Sequence, residues 1–90
     1  VQRREERRRE AEERNRRYRE ERARQDRLAP LETEISRLET RLRELDARLA
    51  DPAVYRDPQR AREAGQGRLE TREQLERLYA QWEAAAAVQE

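Results

Sequence analysis

The residues in this sequence best suited to chemistry are arginines. Arg14, Arg16, Arg17, Arg19, Arg22, Arg24 and Arg27 crowd one stretch, and Tyr18 lies among them. Arginine contacts phosphate oxygens and releases counterions without any sequence code. An aromatic ring between arginines can stack on an unpaired base. A second group, Arg56, Arg60 and Arg62, lies near the middle of the chain. All 22 basic residues are Arg. Arg is the better phosphate reader, but a GC-rich genome gives the same bias, and both explanations stand. Residues 1–27 hold 12 Arg and 8 acids, a net of +4. That segment therefore reads either as a nucleic-acid grip or as a solvated helix.

Other chemistries fall away. With no Cys and no His, disulfides, thiol catalysis and the usual zinc or copper ligands are absent. Ser36 is the only serine and has no His to serve as its base. Asp51, Asp57 and Glu63 read as helix caps and surface charges. A pair of helices offers no enclosed pocket in which to shift a carboxylate pKa. No catalytic residue, metal site or cofactor is expected within the chain. No apolar run approaches the length needed to cross a membrane. Val1-Gln2-Arg3-Arg4 is followed by no apolar stretch, so no signal peptide is expected. The absence of an initiator Met points to a piece of a longer chain.

The elements that must position these arginines are helices. Ala, Glu, Leu and Arg supply 13, 17, 9 and 22 of the 90 residues, the composition of a coiled coil. Leu28, Leu31, Ile35, Leu38, Leu42, Leu45 and Leu49 repeat at alternating steps of three and four, an unbroken a/d register. Pro30 could begin this helix or kink a longer one. Asp51-Pro52 and Asp57-Pro58 then punctuate the chain. Asp is a good N-cap and Pro a good first helical residue. A short turn over 52–55 and a second helix from Pro58, capped by Asp57, follow from this. Tyr55 is expected to fold back over the end of the Leu stripe.

The second helix is the weaker partner. Leu75, Leu78, Tyr79, Trp82, Ala85 and Ala86 form its apolar stripe, while upstream only Ala61, Ala64 and Leu69 are available. Gly65 and Gly67 each cost roughly 1 kcal/mol against Ala in a helix, which predicts local fraying near 64–68. Tyr79 and Trp82 are expected to fill the interface. Trp82 should be among the most buried residues and should pack near Leu28 or Leu31. Two facing stripes in one chain favour an intramolecular hairpin over an oligomeric zipper, so a monomer is expected. Within residues 1–27, Glu5–Arg9, Glu10–Arg14, Glu12–Arg16, Glu13–Arg17 and Glu20–Arg24 are i,i+4 pairs, each worth about 0.2–0.5 kcal/mol. They could hold a solvated helix marginally.

The run LADPAVYRDPQRA at 49–61, followed by LERLYAQWEAA at 75–85, resembles the C-terminal coiled-coil domain of ABC-F ATPases of the Uup type. Leu49, Asp51, Pro52, Tyr55, Tyr79, Trp82 and Glu83 fit that family's Leu-x-Asp-Pro-x-x-Tyr connector and its Tyr-x-x-Trp-Glu ending. The resemblance covers about residues 28–85. The stretch before it is similar to the charged linker after the second ATPase domain. The family tends to place Leu where this chain has Arg68 and Thr71. The resemblance implies a soluble, cytoplasmic parent acting at the ribosome in translation or on DNA. It also implies that ATP and Mg are bound by domains outside this fragment.

The resulting reading is all-α: a two-helix antiparallel coiled-coil hairpin with an Arg/Glu-rich N-terminal extension, helical or partly disordered. Residues 1–27 form the charged linker and 28–88 the hairpin, with helices at about 28–50 and 58–88 and a connector at 51–57. The expected function is an accessory nucleic-acid-binding arm, touching ribosomal RNA, tRNA or DNA through Arg14, Arg16, Arg17, Tyr18, Arg19, Arg22, Arg24 and Arg27, then Arg56, Arg60 and Arg62. The alternative is a spacer coiled coil, or one that docks on its own ATPase domains or another protein.

Overall fold

A computed structural model describes residues 2–88. Three helices follow one another: α1 (Gln2–Leu49), α2 (Pro52–Tyr55) and α3 (Pro58–Ala86). α1 and α3 lie antiparallel, and the molecule measures 80 × 18 × 12 Å. No strand occurs among the described residues. The two-helix antiparallel hairpin expected from the stripes is the observed fold.

The turn is built by its two aspartates. Asp51 caps α2, its carboxylate accepting from the Ala53 amide at 3.0 Å. Asp57 caps α3, accepting from the amides of Gln59 at 3.0 Å and Arg60 at 3.2 Å. Pro52 and Pro58 occupy the first helical positions, where a missing N–H costs nothing. Val54, rather than Tyr55, closes the hairpin. Val54 packs with Leu45 and Ala64, whereas Tyr55 is exposed, with Arg56 over its ring at 6.0 Å. Successive helical side chains diverge by about 100°, so only one of the pair can face inward, and the smaller one fits beside Leu45.

α1 does not break at Pro30. Pro30 is exposed, so the Asp26 carbonyl that it leaves without an amide partner can turn to water. Its neighbours Leu28 and Leu31 hold the helix to the seam on either side. Leu28, Leu38 and Leu45 are buried, and Leu31, Ile35, Leu42 and Leu49 are half-buried.

α3 meets this stripe along Ala61, Ala64, Arg68, Thr71, Leu75, Leu78, Trp82 and Ala85, which keep the three–four alternation. Leu69, expected in the stripe, lies five positions after Ala64 and so points to solvent, 52% exposed. Thr71 takes an inward position instead, and its hydroxyl donates to the Gly67 carbonyl at 2.7 Å. Arg68 pairs with Asp46 across the hairpin.

The fraying expected near 64–68 does not occur, because α3 is continuous there. Gly67 lies against Leu45, the most buried side chain, and a Cβ at Gly67 would meet Leu45 Cδ2 at 3.4 Å. Packing against Leu45, Val54 and Ala64 outweighs the glycine propensity cost.

Trp82 is half-buried rather than among the most buried residues. It shares a surface groove with Glu32, Ile35 and Glu39, about one turn from the expected Leu28 and Leu31. Two helices provide no third layer to cover an indole. Tyr79 is 41% exposed and lies on the rim of the interface, not in it.

Candidate nucleic-acid interface

α3 ends beside Arg24, whose Nη1 donates to the Ala86 carbonyl at 2.6 Å. Residues 2–23 of α1 therefore project past α3. At 1.5 Å per residue this overhang is about 33 Å long. It carries most of the sequence-predicted arginines, and no residue within it is buried.

A continuous helix sorts these arginines by angle. At about 100° per residue, positions 4, 7, 8, 11, 14, 15, 18, 22 and 25 follow one face at steps of three and four. In this chain they are Arg4, Arg7, Arg8, Ala11, Arg14, Asn15, Tyr18, Arg22 and Gln25. Glu21 follows the same steps between Tyr18 and Gln25, so no acid lies on that face from Arg4 to Tyr18, and Glu21 and Asp26 close it. Glu5, Glu12, Glu13 and Glu20 cluster on the far side around Arg9 and Arg16. The net charge of the segment is thus divided into a cationic face and a mixed one.

The ion pairs follow this division. Arg16 is shared between Glu13 at 4.0 Å and Glu20 at 3.8 Å, and Arg9 meets Glu5 at 3.9 Å. On the cationic face, Arg8 reaches Glu12 at 3.8 Å and Arg22 reaches Asp26 at 3.5 Å. Of the five expected pairs, Glu5–Arg9 forms, while Glu12 pairs with Arg8 and both Glu13 and Glu20 pair with Arg16. Tyr18 is 68% exposed, with its ring on the cationic face.

The predicted residues are therefore not one site. Arg14, Tyr18 and Arg22 share the cationic face, and Arg19 flanks it. Arg16 lies opposite. Arg17 and Arg24 continue the line of the Leu seam, and Arg24 is engaged with the end of α3. Arg27 is half-buried at the same end. Arg4, Arg7 and Arg8 belong to the cationic face but are missing from the sequence-based set. Their signal was the three–four spacing of arginines, legible only once the segment is taken as one uninterrupted helix.

At the tip, Arg56 stacks on Tyr55 and Arg62 reaches the Gln59 side chain at 3.5 Å. Arg60 donates to the Ala53 carbonyl at 3.3 Å and lines a hollow with Arg41, Arg48, Asp51 and Glu63. Arg41 and Arg48 also escaped the sequence reading, because they belong to α1 and reach the tip only when the chain turns back.

The residues do not fit ATP and magnesium. A phosphate loop needs a glycine-rich turn and a lysine. This chain has no Lys, and its two glycines lie inside α3. No described helix is long and apolar enough to cross a membrane.

The long hairpin, the double Asp-Pro turn and the projecting charged helix define an accessory coiled-coil arm. The ABC transporter C-terminal domain model matches residues 19–87, and the chain belongs to that family. This is the relationship that the resemblance to C-terminal domains of the Uup type predicts. Comparison with curated proteins and with solved structures finds no match.

Proposed function

We propose that this ABC-associated accessory domain is a nucleic-acid-binding arm whose overhanging α1 grips phosphates of ribosomal RNA, tRNA or DNA. The observation that carries the reading is the arginine-rich face bearing Arg4, Arg7, Arg8, Arg14 and Arg22 with an exposed Tyr18, on which Glu21 is the one acid before Asp26. Guanidinium groups along one face can follow a phosphate backbone, and the tyrosine can stack on an unpaired base. The arm acts as a monomer in the cytoplasm. ATP and magnesium belong to ATPase domains of its parent.

Binding is sequence-independent, with Kd about 10⁻⁴ to 10⁻⁶ M at physiological salt. The test compares two triple reversals of equal charge. Arg7→Glu, Arg14→Glu and Arg22→Glu together should weaken binding to duplex and single-stranded probes uniformly and flatten the salt slope. Arg9→Glu, Arg16→Glu and Arg17→Glu together should do markedly less. Equal losses would reduce the effect to net charge. Undiminished binding in the first variant would leave a spacer coiled coil.

A further inference from the structure

The groove around Trp82 is the opposite of the overhang in chemistry. Ile35, Tyr79 and Trp82 line it together with Glu32, Glu39 and Glu83. No basic residue lines it. Its volume is about 420 Å³, more than one side chain requires. Glu39 accepts the Tyr79 hydroxyl at 2.9 Å, which fixes the phenol ring along one side. Among the described residues neither Glu32 nor Glu83 forms an ion pair, although α1 carries arginines on its other faces. Glu34, two residues from Glu32, is already paired with Arg37.

We infer that this groove docks an arginine-bearing segment of a basic partner protein. A guanidinium is flat, weakly hydrated and permanently charged, so it can lie over the indole while its N–H groups reach the flanking carboxylates. Tryptophan and tyrosine are enriched among the side chains that anchor protein interfaces. The same carboxylates repel phosphate, which makes nucleic acid the wrong occupant. The surface is separate from the overhang: the overhang presents arginines, and the groove, along the paired stretch between the overhang and the turn, presents aromatic rings among acids.

Trp82 is the only tryptophan, so its emission reads the groove directly. The full chain is titrated with a capped tri-arginine peptide, with tri-lysine, and with tri-citrulline, which keeps the shape of arginine without its charge. Tri-arginine should change Trp82 emission saturably, tri-lysine more weakly and tri-citrulline not at all. Glu39→Gln with Glu83→Gln should weaken tri-arginine binding about ten-fold, as the loss of two exposed ion pairs would. Glu63→Gln with Glu70→Gln removes the same charge elsewhere on α3 and should leave binding within about two-fold. Circular dichroism melts confirm that both variants are folded. The inference is overturned by the absence of a saturable response, or by equal losses in the two variants. It is also overturned if the chain alone forms a dimer that Glu39→Gln with Glu83→Gln dissolves, since the occupant would then be a second copy.

Discussion

Residues 24–49 of α1 lie along α3 and bury Leu28, Leu38 and Leu45, whereas residues 2–23 project past α3 and bury nothing. Both stretches are the same helix, yet different forces hold them. The paired stretch is stabilised by apolar area removed from water, worth about 25 cal/mol per Å². The overhang relies on backbone propensity and on exposed pairs such as Arg9–Glu5 and Arg16–Glu20, each worth a few tenths of a kcal/mol. A helix without a partner helix along its length keeps most of its faces available. The overhang is therefore the place where charge can be arranged for a ligand rather than for a core.

The largest effect that could break this comparison comes from Leu45→Ala. Leu45 is 1% exposed and touches the turn cluster, so its truncation should cost about 3 kcal/mol. The same loss of stability should not follow from Ala11→Gly, which lowers helix propensity in the overhang by about 1 kcal/mol. Thermal or urea unfolding followed by Trp82 emission measures the hairpin, and circular dichroism measures total helix. Ala11→Gly should reduce helix signal while the emission midpoint holds. A matching fall in that midpoint would mean that the two stretches unfold as one unit.

A smaller effect of opposite sign sharpens the contrast within the paired stretch. Nothing lies within 4 Å of a Cβ added at Gly65. Gly65→Ala should stabilise the hairpin by about 0.5–1 kcal/mol through propensity alone. Gly67→Ala should gain less, because its Cβ meets Leu45 at 3.4 Å. If the two variants unfold at the same denaturant concentration, contact with Leu45 carries no weight.

The smallest effect is a pH dependence at the groove. The hydrogen bond to Glu39 is the main cause that raises the Tyr79 pKa above its ordinary value, and desolvation adds to it. A group whose pKa rises on folding contributes stability below its unfolded pKa, near 10. That contribution should disappear as pH climbs above 10 and the phenolate faces Glu39. Hairpin melts between pH 8 and 11.5 should show this decline, and Tyr79→Phe should flatten it. An unchanged alkaline decline in Tyr79→Phe would assign it to the other ionising groups.

Local signals carried much of the fold. Asp51-Pro52 and Asp57-Pro58 specify their own helix starts, because capping bonds span two or three residues. The stripe from Leu28 to Leu49 specifies one helix face by spacing alone. Contacts between helices were less legible. Leu69 is more apolar than Arg68 or Thr71, but the alternation from Ala64 sends it outward. Tyr55 matches a motif, yet Val54 closes the turn. The candidate site divides the same way. Arg14, Tyr18 and Arg22 stood out as a dense run, whereas Arg4, Arg7 and Arg8 join them only along a helix face.

The sequence by itself determined the helix caps at the turn and the antiparallel return, because each depends on residues close along the chain; the unbroken course of α1 through Pro30 and of α3 through Gly65 and Gly67 did not follow from it. Only the tertiary structure decided where α3 stops against α1. That end point leaves residues 2–23 unpaired, sets Arg24 on the Ala86 carbonyl and opens the acidic groove beside Trp82. The reason is physical: a stripe fixes which face is buried, but only packing of side chains across the seam, such as Gly67 against Leu45 and Arg68 beside Asp46, fixes the register between the helices.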